Sequence, residues 1–435
     1  MFRRIPFLAM TLLLVLAVSV LSACNSGVSS PGVTRIKVWF PGNSGLESDL
    51  VTKTLVPAFE KAHPDIKVDV QYVDWGTLSP KLNSAFAGGT APDVFGHGPA
   101  ATAGFAAADR ILPLDSYINK LDDATRQDFG SMLDAGMVNG HRYLMPLVSD
   151  GLLFAYRTDL FRQAGLDPNH PPTNWSELQQ VAQKLTQRQG GKITRAGLQM
   201  GITGISSQQT FATFLYQNGG TLLDKDNTEV AWNSEQGVKA LQFMVDLYNG
   251  PNAVGKNTNI NYGTLPPTQQ PLVTGEAAMA LVGSGALAGI QKAKPDIMKN
   301  IAVMPPIGQT QKAAYGGAGT GLFINKDSKH ADAAWSFIQY MVSVDTLKQY
   351  TSVTGTVPAR SSFINSDVVQ KNTFMKPYLE AMSAKAFRPN PNIASWVQVR
   401  DILARYLEKS IVRQMTPTAA LNAAAQEAGS LLAKK

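Results

Sequence analysis

The chain has 435 residues, of which 44% are hydrophobic and 16% charged, so it can bury a large core and is not a disordered protein. The single cysteine, Cys24, excludes an intramolecular disulfide and a CxxC site, and the five histidines are scattered, so we expect no metal site and no cofactor. The formal net charge of +7 comes without a cluster of Lys and Arg, so we expect no nucleic-acid partner.

The amino-terminal segment has the layout of a targeting signal. Arg3-Arg4 is followed by an uncharged, mostly aliphatic stretch over residues 5–21. The tetrapeptide Leu21-Ser22-Ala23-Cys24 resembles a bacterial lipoprotein signal, in which the cysteine becomes diacylated. We therefore predict a signal peptide over 1–24, lipidation at Cys24 and a tether over 25–31; the alternative is an uncleaved anchor helix. A lipid anchor would hold the protein outside the cytoplasm, at the cell surface or in the periplasm.

The next segment predicts a strand, a helix and a second strand. Apolar residues alternate over 36–40 and again over 66–72, and they follow helical spacing over 46–59. Pro57 should kink or split this helix, because an interior proline is strongly unfavourable. Strand, helix and strand in this order favour a parallel βαβ unit and an α/β fold.

Helices are predicted further along the chain. Capping boxes at Asn174–Glu177 and Asn233–Gln236 precede amphipathic stretches, and Ser328 is predicted to cap a helix over 331–342. Apolar spacing over 396–407 and an alanine-rich tail over 419–432 predict two more. At roughly 150 residues per domain, the length suggests two or three domains. The chain has no internal repeat and no long linker, so we expect it to pass between the domains several times and not through one hinge peptide.

The usual catalytic motifs are missing from the sequence. Gly316–Gly321 fits neither phosphate-binding glycine pattern, and Gly283-Ser284-Gly285 lacks the first glycine of a GxSxG elbow. Two features leave alternatives open. Two of the acids Asp74, Asp93 and Asp150 could face a cleft as the carboxyl pair of a glycosidase, or all three could be carboxylates without a catalytic role. Trp75 and Trp396 stand where a helix or loop begins, and each could stack on a sugar ring or pack in the core.

Eight short motifs, each weak alone, occur in an informative order. They are Leu55-Val56-Pro57-Ala58-Phe59-Glu60, His63-Pro64-Asp65-Ile66-Lys67-Val68, Gly88-Gly89-Thr90-Ala91-Pro92-Asp93-Val94, Tyr156-Arg157-Thr158-Asp159-Leu160-Phe161, Ala164-Gly165-Leu166, Asn218-Gly219-Gly220, Gly275-Glu276-Ala277-Ala278-Met279 and Gly355-Thr356-Val357-Pro358-Ala359-Arg360. With them the chain resembles the extracellular solute-binding proteins of ABC importers, in the family-1 group that includes maltose-binding and glycerol-3-phosphate-binding proteins.

The resemblance implies an α/β, two-lobed periplasmic-binding-protein-like fold of type II, with a ligand cleft between lobes joined by hinge segments. Lobe 1 would comprise residues 32–148 plus 316–344, and lobe 2 residues 149–314 plus 345–435.

The resemblance also implies a set of ligand-binding residues. They are Asn43, Ser44, Trp75, His97, Asp150, Ser207, Gln209, Ser284, Gly316, Gly317, Arg388 and Trp396. Among these, Gly316 and Gly317 would line a hinge, Trp396 would stack on a sugar, and Arg388 loosely matches a phosphate-gripping position. Position 285 departs from the pattern, because Gly285 stands where maltose binders carry a second stacking aromatic residue.

The sequence therefore predicts a lipid-anchored, monomeric receptor that binds a small carbohydrate, from mono- to oligosaccharide, and delivers it to an ABC permease without catalysis. One alternative keeps the fold and binds glycerol-3-phosphate or a glycerophosphodiester. The other alternative is a secreted glycosidase.

Overall fold

The computed structural model describes residues 32–42, 45–256 and 265–432, so the predicted signal, Cys24, the tether, Asn43 and Ser44 lie outside the described residues. The strands are β1 (Thr34–Pro41), β2 (Ile66–Val73), β3 (Val94–His97), β4 (Met137–Val138), β5 (His141–Arg142), β6 (Met145–Pro146), β7 (Val148–Gly151), β8 (Leu153–Arg157), β9 (Gln187–Gln189), β10 (Lys192–Gln199), β11 (Ala277–Val282), β12 (Ile301–Val303), β13 (Ala314–Ala318), β14 (Gly321–Ile324), β15 (Val357–Pro358) and β16 (Phe387–Arg388).

Helices surround these strands. They are α1 (Gly45–Leu50), α2 (Val56–Ala62), α3 (Trp75–Ala87), α4 (Thr102–Ala107), α5 (Asp115–Ile118), α6 (Asp123–Phe129), α7 (Thr158–Gln163), α8 (Trp175–Leu185), α9 (Gly204–Gln217), α10 (Glu235–Tyr248), α11 (Pro271–Thr274), α12 (Ser284–Ala293), α13 (Pro295–Met298), α14 (Ala331–Met341), α15 (Val344–Thr354), α16 (Asp367–Lys371), α17 (Lys376–Ser383), α18 (Trp396–Ile411) and α19 (Pro417–Leu432). None of the helices in the described ranges is long and apolar enough to cross a membrane.

The predicted strand–helix–strand unit is confirmed. Strands β1 and β2 pair in parallel with Pro41 opposite Val73, so the turns that follow them lie side by side. The intervening helix is interrupted by a π-helical turn over Val51–Leu55, and Pro57 lies in the first turn of α2, where its missing N–H costs little.

The described residues form three large sheets and the two-stranded pair β4-β5. The first has the order β2-β1-β3-β14-β6 and the second the order β12-β8-β11-β10-β9. A third sheet, β15-β7-β13-β16, contains β7 and β13, the strands by which the chain passes between the other two. We call it the crossing sheet. The predicted lobe boundaries at 148/149 and 314/316 fall within β7 and β13 and remain a prediction.

Two large cores lie against the first two sheets. One buried cluster joins β1 and β14 to α14, extends through residues 344–387 and reaches one face of the second sheet at Leu153, Ala155 and Ile301. A second cluster covers the other face of that sheet and joins β8 and β10 to α9, α10, α18 and α19. A smaller cluster holds Phe86, Phe95, Phe105 and Phe323 together beside β3. Because the first cluster contains residues of both sheets, apolar packing joins the two halves in addition to the crossing sheet.

Side-chain caps explain where several helices begin. Asn174 Oδ1 accepts from the Glu177 amide at 3.0 Å, as the first capping box predicts, and Ser234 caps α10. The prediction for Ser328 is wrong. The residue before α14 is His330. The Ser328 hydroxyl donates to Asp93 Oδ1 at 2.5 Å and its oxygen accepts from the His330 amide at 3.1 Å, so Ser328 lies ahead of the helix and bonds none of the helix's own amides.

Candidate functional site

The first group of predicted site residues lies at the carboxyl end of the first sheet. Trp75 begins α3 directly after β2 and is 50% exposed, so its ring is free to contact a ligand. A β-carbon built on Gly42, after β1, would lie 4.0 Å from Trp75 Nε1. His97 ends β3, and its ring meets Trp75 edge-on at 5.8 Å between centroids. The order of the parallel strands therefore brings these three positions together, and the binding roles of Trp75 and His97 stay predictions.

His97 is held as a neutral ring. Burial lowers its pKa to about 4, so the imidazole is uncharged at neutral pH. Its Nδ1 lies 3.3 Å from the carbonyl oxygen of Gly98, which can only accept, and its Nε2 lies 3.0 Å from Ser79 Oγ. Nδ1 therefore carries the proton, and Nε2 accepts from the Ser79 hydroxyl. With both nitrogens engaged, His97 offers a ring face and no charge.

Asp150 belongs to a second group, on the crossing sheet. It lies in β7 opposite Gly317, and its Oδ1 accepts from the Gly151 amide at 2.9 Å. The residue is exposed to solvent, yet burial raises the pKa of its carboxyl. Protein atoms come close to this exposed side chain, because a β-carbon built on Gly283 would lie 3.5 Å from Asp150 Oδ1. Among the described residues no cationic side chain forms an ion pair with Asp150.

Tyr315 lies close to Asp150 and was missed by the sequence reasoning. Its hydroxyl oxygen accepts from Asn390 Nδ2 at 2.9 Å and from Gln209 Nε2 at 3.4 Å. Gln208 holds Asn390 in turn, through a bond of 3.3 Å to its Oδ1. Burial and then the Asp150 charge raise the Tyr315 pKa to about 12, so the hydroxyl keeps its proton. Because both lone pairs are used, Tyr315 can only donate to a further partner.

Other predicted residues surround this group. Ser284 is the buried first residue of α12 and follows Gly283. A β-carbon on Gly285 would meet nothing within 4 Å, so the space of an absent aromatic residue is open. Gly316 has φ +155°, and a β-carbon there would lie 2.6 Å from the Asp150 carbonyl oxygen, so this position requires glycine. Gly317 follows in the same strand, with φ +151°.

Three further predicted residues have side chains that bond or pack elsewhere, although Arg388 lies opposite Tyr315 in the crossing sheet. Ser207 is buried and donates to the Gly204 carbonyl at 2.8 Å within α9. Arg388 is exposed, and its Nη1 donates to the carbonyl oxygens of Lys385 and Phe387. Trp396 is fully buried in the second core, and its Nε1 has no hydrogen-bond partner among the described residues. Their roles in binding stay predictions.

Two further features bear on what this arrangement can do. In the described ranges, no group of three or more His, Cys, Asp or Glu residues could hold a metal ion. A shallow groove between residues 202–203 and 405–414 contains none of the predicted site residues. The chemistry available beside Tyr315 is therefore a carboxylate acceptor, a hydroxyl donor and amide groups, which suits a neutral polyhydroxyl ligand.

Residues 44–347 match the family described as bacterial extracellular solute-binding protein. The chain belongs to this family. The solute-binding protein is 25% identical over 434 residues to the sn-glycerol-3-phosphate-binding periplasmic protein UgpB of Salmonella typhimurium, with 92% of this chain and 93% of that protein covered. The predicted family is thereby confirmed.

The fold is similar to those of solved solute-binding proteins. A solute-binding protein of an ABC transporter from Thermotoga lettingae, bound with α-D-tagatose, has a TM-score of 0.77 at 25% identity, with 92% of this chain and 100% of that chain covered. The GacH receptor of Streptomyces glaucescens, solved unliganded and with acarbose, has a TM-score of 0.78 at 25% identity, with 92% and 99% covered. The predicted α/β, two-lobed fold of the solute-binding proteins is confirmed.

Proposed function

We propose that this solute-binding protein is the receptor of an ABC importer and binds a small carbohydrate beside the crossing sheet. The observation that carries the proposal is the pair formed by Asp150 and Tyr315. One is a carboxylate without a cationic partner among the described residues, and the other is a hydroxyl whose proton is free to be donated. A sugar diol matches this pair, because each of its hydroxyls both donates and accepts.

The surroundings of the pair support a sugar. Two hydroxyls that donate to Asp150 would replace the hydration lost by burial, and each hydrogen bond to a charged acceptor contributes about 1.5–3 kcal/mol. On the first sheet, Trp75 offers an exposed indole and His97 a neutral ring, and the apolar faces of sugars pack against such rings. Polar pairing from one side and ring contact from the other would fix a small carbohydrate in the cleft.

The resemblance to UgpB favours a second candidate, glycerol-3-phosphate or a glycerophosphodiester. Two features of this chain argue against a phosphate beside the crossing sheet. The Arg388 guanidinium is turned to backbone carbonyls, and the Asp150 carboxylate would repel an anion. The neutral carbohydrate therefore remains the first proposal.

We propose binding without turnover. A glycosidase needs two carboxyl groups on either side of the scissile bond. Asp74 caps α3 by accepting from the Gly76 amide at 2.8 Å, and Asp93 accepts from the Lys37 amide at 2.8 Å and from Ser328. These two acids thus hold the first sheet together, which leaves Asp150 without either as a catalytic partner.

The setting of the receptor is proposed from its sequence and family. Cys24 would carry a lipid that anchors a monomer outside the cytoplasm, and the lobes would be 32–148 plus 316–344 and 149–314 plus 345–435. Mass spectrometry of the mature amino terminus tests the anchor. Protein recovered from membranes with an intact Met1 would refute it.

A thermal-shift screen tests the ligand class. α-D-Tagatose, maltose, acarbose and mannotriose would be compared with sn-glycerol-3-phosphate, and a ligand at 100 times its dissociation constant adds about 2.7 kcal/mol of stability. We expect at least one sugar to raise the melting temperature and to be recovered unchanged. A shift with glycerol-3-phosphate alone, or hydrolysis of the sugar, would overturn the proposal.

A further inference from the structure

Residues 389–395 connect β16 to α18 and run along the boundary between the two halves of the molecule. We call this segment the strap. One of its asparagines, Asn390, takes part in the polar network around Tyr315. The other, Asn392, faces the opposite way and makes both of its hydrogen bonds to backbone groups near the first sheet.

The Asn392 side chain fits its partners by donor and acceptor type. Its Oδ1 accepts from the Ala103 amide at 3.0 Å, and its Nδ2 donates to the Met137 carbonyl oxygen at 3.0 Å. In the reversed orientation the Asn392 NH2 group would face the Ala103 N–H, and its oxygen would face the Met137 carbonyl oxygen. The contacts therefore fix the orientation of the amide. One side chain therefore joins α4 and β4 to the strap.

The amino terminus of α4 needs such a partner. The first amides of a helix have no acceptor within the helix, and a side chain just before it usually supplies one. Here a 3-10 turn over Pro99–Ala101 leads directly into α4, and Ala101 offers no side-chain cap. Asn392, 289 residues further along the chain, supplies the missing acceptor.

Apolar packing accompanies these bonds. A β-carbon built on Gly104, in α4, would lie 3.7 Å from the Ala394 carbonyl oxygen, so the strap backbone lies against this helix. Ala100, just before α4, packs against the second core. The two halves thus touch on both sides of Asn392, where the strap leads into α18.

We propose that Asn392 is an interlobe clamp that forms when the cleft closes and thereby sets ligand affinity; this rests on the proposed binding function. In an open protein the Ala103 amide and the Met137 carbonyl would turn to water. A ligand that binds the closed state has an apparent affinity proportional to the closed fraction, so weakening the clamp weakens binding without touching the ligand. Asn392 is a positioning residue, not a ligand contact.

Amide hydrogen exchange of the peptide containing Ala103 tests the clamp directly. In the wild type, a binding sugar from the panel above, with maltose tried first, should slow exchange of this amide. In Asn392→Ala that slowing should be lost, and sugar dissociation should be faster by about 10-fold with little change in the association rate. Intrinsic tryptophan fluorescence in a stopped-flow instrument gives both rates.

Two further variants separate a clamp from a general structural role. Asn392→Asp keeps the acceptor for Ala103 and sets a carboxylate against the Met137 carbonyl, so the amide should stay protected while the sugar still leaves faster. Asn249→Ala is the matched control. Asn249 also bonds two backbone groups, donating to the carbonyl oxygens of Val245 and Ile411 at 2.9 Å each, but within one half of the molecule. It should lower the melting temperature and leave sugar dissociation unchanged.

Equal exchange at Ala103 in the wild type and Asn392→Ala, with or without sugar, would overturn the clamp. So would exchange in the wild type that is slow and insensitive to sugar, because the contact would then be a permanent joint. If no sugar binds, the proposed ligand is wrong, but the comparison in the ligand-free protein still applies. Asn392→Ala must then speed exchange at Ala103 and enlarge the radius of gyration, or the clamp fails as well.

Discussion

Replacing Asp150 by asparagine removes one charge from the proposed site with little change of shape. The carboxylate would accept hydrogen bonds from ligand hydroxyls at about 1.5–3 kcal/mol each, whereas bonds between neutral groups contribute about 0.5–1.5 kcal/mol. For two hydroxyls we expect Asp150→Asn to lose at least about 1.4 kcal/mol, which weakens sugar binding 10-fold or more.

The ligand-free protein should respond in the opposite sense. Burial raises the pKa of Asp150, so the folded state favours its protonated form. The ionised carboxyl therefore costs stability at pH values above its folded pKa, and this cost disappears as the pH falls below the ordinary value of about 3.9. An amide carries no such cost, so the melting temperature of Asp150→Asn at neutral pH should equal or exceed that of the wild type.

Titration calorimetry and thermal melts over a pH series check both expectations. Wild-type affinity should fall as the pH drops through the raised pKa, while the affinity of the variant should stay flat. Asp296→Asn is the matched control, because it removes the same charge from a side chain that is 88% exposed and paired with Lys299. An Asp150→Asn protein that binds the sugar as tightly as the wild type would refute the assignment.

Four further substitutions test the described packing and one ion pair. Trp396→Ala should cost about 3–5 kcal/mol of unfolding free energy in denaturant titrations, since the indole is fully buried; wild-type stability would contradict its core position. Gly316→Ala should lower the melting temperature because its β-carbon would lie 2.6 Å from a β7 carbonyl oxygen, whereas Gly285→Ala has open space and should be neutral. Burial would raise the pKa of Asp128, but Arg360 and the Ser362 amide lower it below its ordinary value. The stability that the ionised Asp128 contributes should therefore be lost as the pH falls below about 3.9. In Asp128→Asn the melting temperature should depend less on pH in this acidic range.

Local patterns were sufficient for the first two strands of the first sheet. The alternation over 36–40 and 66–72 predicts β1 and β2, and parallel order then places Trp75 and His97 at the same edge. The cap predicted at Ser328 is wrong because α14 begins only at Ala331; the Ser328 hydroxyl donates instead to Asp93, 235 positions away. Sequence spacing describes neighbours along the chain, and it carries no information about such a bond.

The second group of site residues shows the same limit. Tyr315 and Asn390 are 75 residues apart and meet because β13 pairs with β16 in the crossing sheet. The resemblance places Asp150 and Gly316 near each other but does not single out Tyr315, although it directly precedes the glycine pair. The direction of the Arg388 side chain depends on the turn at Lys385, which a motif match does not describe.

The position of Asp150 and Tyr315 within the crossing sheet has a mechanical consequence. Both residues belong to strands that connect the halves, so a ligand held between them would sit at the pivot, where the lever arm is shortest. A small adjustment of backbone at this pivot is multiplied with distance, and the outer rims of the two halves travel furthest. Recognition of one small molecule at the axis would in this way become a change of outline across the whole protein.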